Sequence, residues 1–163
     1  MTTQQIQGPR TGHTIHLRPS AILLLRTDLN EQRLEAVRAY SQKNMPTLRY
    51  HNYGHVEDVV RACDRLADAE GVSTAERRLL KAAAYLHDII YVPFGRHNEE
   101  GSADLAGELL PKLGFGRNEV EQVRSMILAT KIPTTPRNLR VARSRMVRRS
   151  ARAWSQSLAL ASQ

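Results

Sequence analysis

Between Ser73 and Ile90 the chain encodes a helix that water cannot surround. Ser73-Thr74-Ala75-Glu76 has the form of a capping box, a Ser or Thr followed three residues later by Glu. It opens a run through Leu79, Leu80, Ala83, Ala84, Leu86, Ile89 and Ile90 that is apolar nearly all round. A surface helix needs only one apolar stripe, whereas a helix apolar on every side must be enclosed by other elements. This run therefore predicts a central helix, and the rest of the chain has to supply its neighbours.

The flanking sequence supplies helices. The pattern turns helical at Ala21, and Asn30 to Ser41 places Leu34, Val37 and Ala39 at amphipathic spacing, with Asp28 or Asn30 able to cap and Pro46 ending the element. From His55, the residues Val56, Val59, Val60, Cys63, Leu66 and Ala67 recur at helical intervals to about Ala69, and Gly71 stops them. Val92-Pro93-Phe94-Gly95 is a loop. Asn98 or Ser102 then begins a helix with Ala103, Ala106, Leu109 and Leu110 inward, and Asn118 caps another in which Val120, Val123, Ile127 and Leu128 align to near Thr130. No strand alternation and no internal repeat is visible. The expected architecture is an all-α single domain of about five or six helices.

A chain of 163 residues suits one domain with a sizeable core. Residues 1–19 hold Gly8-Pro9, Gly12 and Pro19 with no period and read as a flexible leader in which His13 and His16 are solvated. Residues 20–139 read as the helical domain and 140–163 as a basic Arg/Ser/Ala-rich tail. The net charge of +8 belongs to that end: residues 1–121 hold 15 Lys/Arg against 16 Asp/Glu, and residues 122–163 hold 9 against none. Arg148-Arg149 and Trp154 could contact nucleic acid or anionic lipid, but the tail has one aromatic and no interleaving, so nucleic acid is not the expected partner. The single cysteine, Cys63, excludes an intramolecular disulfide and reads as core packing. With no run of about 18 apolar residues and no export pattern at the N-terminus, the expectation is a cytoplasmic protein without a membrane partner.

Chemistry-bearing residues concentrate in two short pieces, Tyr50-His51-Asn52-Tyr53-Gly54-His55 and His87-Asp88. Neutral imidazoles and carboxylates suit a divalent ion used on phosphate, because they leave coordination positions for water and phosphate oxygens. His87 and Asp88, adjacent on a helix, would stand about 100° apart and could grip one ion. Glu99, beside Asn98 and Glu100, could act as an outer carboxylate, or its charge could simply favour a helix N-terminus. Lys131 could meet a phosphate as a point charge, or serve a helix C-terminus. His97 reads as a solvated loop residue.

These residues resemble the HD superfamily of metal-dependent phosphohydrolases. His55 and His87-Asp88 carry the likeness, and Tyr50-His51-Asn52-x-x-His55-x-x-Asp58-Val59 is similar to the signature of its cyclic-nucleotide phosphodiesterases. Ala84-Tyr85-Leu86-His87-Asp88-Ile89-Ile90-Tyr91, Asn98-Glu99-Glu100-x-Ser102-Ala103 and Ile127-Leu128-Ala129-Thr130-Lys131 resemble a bacterial group of predicted HD phosphohydrolases, over roughly residues 30–139. The resemblance implies an HD-like helical bundle in which His55, His87 and Asp88 are ligands of a divalent metal ion. It implies that His51 is a non-ligand acid that protonates the leaving oxygen of a phosphomonoester or nucleotide.

That pattern also expects a carboxylate from a later helix, and no Asp or Glu stands after Glu121. Arg140 to Ser150 carries arginines instead, and the composition changes abruptly at Leu139, as GC-rich coding sequence read out of frame would. The expectation is an HD sequence with an aberrant or truncated C-terminus and weak or absent turnover. Its check is whether another reading frame after Leu139 encodes an Asp-containing helix. Two other functions follow from the same features: a catalytically inactive HD-like module that binds a nucleotide or a protein, and nucleic-acid binding through the tail.

Overall fold

The computed structural model describes residues 19–131, as five helices: α1 (Pro19–Asn44), α2 (Tyr53–Ala69), α3 (Thr74–Leu86), α4 (Asn98–Lys112) and α5 (Arg117–Leu128). No strand occurs among the described residues, so the expected all-α class is the one found. The leader before Pro19 and the tail from residue 140 lie outside the described residues.

The run that demanded enclosure is enclosed as far as Ile89, and Ile90 is exposed. Ser73 Oγ accepts the Glu76 N–H at 3.3 Å, and the Glu76 carboxylate accepts the Ser73 N–H at 3.0 Å, so both halves of the capping box form. Leu79, Leu80 and Ala82 to Leu86 are buried, and each of the other four helices packs on α3. Leu80 and Leu86 share the fully buried core with Val37 of α1, Val56, Val59 and Cys63 of α2, Leu110 of α4, and Val123 and Ile127 of α5. One side chain fastens three helices: the Arg78 guanidinium of α3 donates to Asn30 of α1 and Glu119 of α5, and lies 5.6 Å from the centroid of the Phe115 ring. Among the described residues no helix is long and apolar enough to cross a membrane.

Three boundaries differ from expectation. Residues 19–44 form one continuous helix, so Asp28 and Asn30 lie inside it and cap nothing. No Gly or Pro interrupts the chain between Ser20 and Met45, and Pro19 stands at the first helical position, where its missing N–H costs nothing. At α5 the cap position is Gly116, whose N–H donates to Glu119 Oε2 at 2.8 Å, and Asn118 is the second helical residue. The third difference bears on the chemistry: α3 stops at Leu86, so His87 is its C-cap and Asp88 lies beyond the helix.

Candidate metal centre

Two helix ends meet at the centre. Asn52, in extended backbone, accepts the His55 N–H on its Oδ1 at 3.1 Å and so starts α2 at Tyr53. His55 is thereby held in the first turn with its ring buried. At the other end, continuation of α3 would give the Ala84 carbonyl to the Asp88 N–H. Here that carbonyl accepts a hydrogen bond from His87 Nδ1 at 2.9 Å, and the chain turns away. His87 and Asp88 therefore do not stand on a helix, as their adjacency had suggested.

Because a carbonyl can only accept, the bond to Ala84 puts a proton on His87 Nδ1 and turns Nε2 the other way. It points toward Asp88 Oδ2, 3.3 Å away, and His55 Nε2 lies 3.9 Å from the same oxygen. One ligand atom from each of His55, His87 and Asp88 falls within 4.8 Å of the others. Burial, and then the neighbouring His87, push the His55 imidazole below its ordinary value, which keeps its ring neutral. Burial alone would raise the Asp88 carboxyl, but hydrogen bonds and charge from His87 and then His51 outweigh it and hold the group well below the usual carboxylate range. Two imidazole nitrogens and one carboxylate oxygen converge, a donor set that fits a divalent cation.

His51 joins this group without being one of the three. Its Nδ1–H donates to Asp88 Oδ2 at 2.6 Å, and its ring stacks on Tyr91 with centroids 3.5 Å apart and planes inclined by 23°. Tyr50 packs on His55 at 4.4 Å between centroids.

The turn carrying Asp88 is gripped from α4 by residues whose role the sequence did not disclose. Ser102 Oγ, fully buried, accepts the Ile90 N–H at 3.1 Å and lies 3.3 Å from the Ile90 carbonyl, to which it donates. Asn98, one helical turn earlier, accepts the Val92 N–H at 2.9 Å and donates to the Val92 carbonyl at 3.0 Å. Between them a Cβ at Gly101 would lie 2.9 Å from Ile90 Cγ2, so α4 can approach this closely only with glycine there. The available signal was two small polar residues, Asn98 and Ser102, four apart on a helix beside inward-facing Ala103 and Ala106.

Glu99 and Lys131 take other places. Lys131 Nζ donates to the Arg96 carbonyl at 3.0 Å and pairs with Glu100, whose carboxyl this bond holds below its ordinary value. Among the described residues, neither Glu99 nor Lys131 makes a hydrogen bond or ion pair to the three donors or His51. His97 is exposed, at the cap position of α4.

A family model described as HD domain matches residues 52–155, starting at the Asn52 cap of α2 and taking in every ligand candidate. No curated protein and no solved structure matches the chain.

Proposed function

The chain belongs to the HD domain family, and we propose that it is a divalent-metal-dependent phosphohydrolase acting on a phosphomonoester or a nucleotide. The observation that carries the reading is the convergence of His55 Nε2, His87 Nε2 and the Asp88 carboxylate on one point, with the His87 tautomer set by the Ala84 carbonyl. Lone pairs facing one another at such distances repel unless a cation or a proton lies between them. His55, His87 and Asp88 would hold the ion. When bound, it would acidify water and polarise a phosphoryl oxygen.

The remaining chemistry belongs to side chains. His51 gives its Nδ1–H to Asp88, which leaves Nε2 on the opposite edge of the ring. Protonated there, the imidazolium would be stabilised by the Asp88 carboxylate and could pass its Nε2 proton to a leaving alkoxide. Stacking on Tyr91 fixes the plane in which that proton is presented.

A second reading, an HD fold that binds without turnover, is favoured by one observation: the donors among the described residues number three, and no Asp or Glu follows Glu121. Metal analysis of the purified protein, with assays on phosphomonoesters and nucleotides in Mn²⁺ or Mg²⁺, separates the two. The hydrolase reading expects hydrolysis that disappears in His87→Ala. Bound metal with no turnover on any substrate favours the second reading, and the absence of bound metal sinks the hydrolase reading.

A further inference from the structure

The loop that leaves the metal centre ends in an aromatic side chain that the fold does not use. Tyr91 lies against His51, and Val92 follows it. Val92 is pinned on both backbone groups by Asn98, and its carbonyl also accepts the Gly95 N–H at 2.8 Å. A Cβ at Gly95 would lie 2.8 Å from the Val92 carbonyl and from Asn98 Oδ1, so the turn closes only with glycine. Lys131 holds the Arg96 carbonyl beyond it. At the tip stands Phe94, with φ of 62° and a ring that is 103% exposed.

Positive φ is strained for any residue with a Cβ, and strain of this kind persists only where surrounding bonds over-determine the backbone. Single exposed apolar residues are common and need no explanation. Phe94 is different because three independent attachments hold it in a strained backbone, and its ring gains no burial in return. The chain's other phenylalanine, Phe115, is 5% exposed. Three peptide steps separate Phe94 from Tyr91, so their Cα atoms are at most about 11 Å apart. The reach of a nucleotide from its phosphate to its base falls within that limit.

We propose that Phe94 is the specificity-determining residue of this site, a rigid platform on which the base of a nucleotide stacks while its phosphate lies at the His55, His87 and Asp88 centre. The placing of the phosphate rests on the phosphohydrolase reading. Every base has a π-face, so this platform selects nucleotides over small phosphomonoesters without choosing among bases. Because the loop is already pinned, little ordering opposes the contact. Base stacking on an aromatic side chain corresponds to roughly five- to 150-fold in affinity.

The test compares each of the four ribonucleoside 5′-monophosphates with ribose 5-phosphate, which lacks only the base, on Mn²⁺-loaded protein. Affinity is read by calorimetry, or as kcat/KM where hydrolysis occurs. The expected result is a preference for nucleotides of roughly tenfold or more that disappears in Phe94→Ala, is retained in Phe94→Trp, and leaves the ribose 5-phosphate value unchanged in both. Equal affinity for ribose 5-phosphate and all four nucleotides overturns the proposal. So does a preference that survives Phe94→Ala, or an absence of binding by any probe. A nucleotide preference without hydrolysis would sink the hydrolase reading while leaving the Phe94 platform standing, so the two failures are distinguishable.

Discussion

Replacing Ser102 by alanine should damage the metal centre from α4. The hydroxyl serves both backbone groups of Ile90, two residues after Asp88, and is itself wholly buried. Alanine keeps the helix and removes one oxygen, so the Ile90 N–H and C=O lose their partner inside the fold. The two bonds are part-buried and contribute about 0.5–1.5 kcal/mol each, so about 1–3 kcal/mol together. At about 3–5 °C per kcal/mol for a domain of this size, the melting temperature should fall by roughly 3–15 °C. The second effect is the informative one: with the turn loosened, Asp88 no longer arrives pre-positioned between His55, His87 and His51, and metal affinity should fall by roughly 10- to 100-fold, as it does when residues supporting ligands are removed. Thermal melts of the metal-free protein give the first number and calorimetric Mn²⁺ titration the second. A Ser102→Ala protein that melts lower yet binds Mn²⁺ as tightly as the parent would refute the idea that α4 positions the carboxylate. One unchanged in both would refute the hydrogen-bond argument itself.

Other perturbations separate the fold from the site. Leu80→Ala, in the fully buried middle of α3, should cost about 2–5 kcal/mol in denaturant unfolding while leaving metal affinity of the folded fraction intact. Ser73→Ala removes an N-cap and should cost about 1 kcal/mol by the same measurement. Excess Mn²⁺ should raise the melting temperature of the parent, by about 2.7 kcal/mol of stability at a hundred times Kd, and do nothing for His87→Ala; an equal rise in both would show binding elsewhere. Glu100 has a folded pKa below its ordinary 4.5 because Lys131 donates to it. Its stabilisation is therefore complete above the ordinary value and is lost as pH falls through the folded one. Glu100→Gln should flatten that part of the acid branch of the stability curve, and an unaltered acid branch would show that the pair contributes nothing.

Much of this was legible in the chain because the relevant forces are local. The Ser73 to Glu76 box announces its own hydrogen bonds, and the apolar run behind it demands enclosure, so the central helix followed from its sequence. The grouping of His55, His87 and Asp88 drew attention for a different reason: imidazoles are rare, and these stand in two short pieces that the fold brings together. What escaped depends on contacts distant in sequence. Asn30 looks like a cap until Arg78, 48 residues away, claims its side chain. Asn98 and Ser102 look like a helix start, yet they hold the backbone of Val92 and Ile90 across a turn. Glu99 looked the better carboxylate of its pair, and only the packing of α5 against α4 shows that Lys131 takes Glu100.

The end of α3 shows how the backbone orients His87 beside Asp88. The last turn of a helix leaves unmatched carbonyls. By donating Nδ1–H to the Ala84 carbonyl, His87 satisfies one of those carbonyls and sets its own tautomer in the same bond. Asp88, the next residue, brings its Oδ2 within 3.3 Å of His87 Nε2 and within 2.6 Å of His51 Nδ1. The opposing helix end adds to this: the positive pole at the start of α2 disfavours an imidazolium at His55, in the same direction as its burial. A helix C-terminus orients one imidazole, and a helix N-terminus helps keep the other neutral. Both nitrogens are thereby prepared for a cation by the backbone of the elements that carry them.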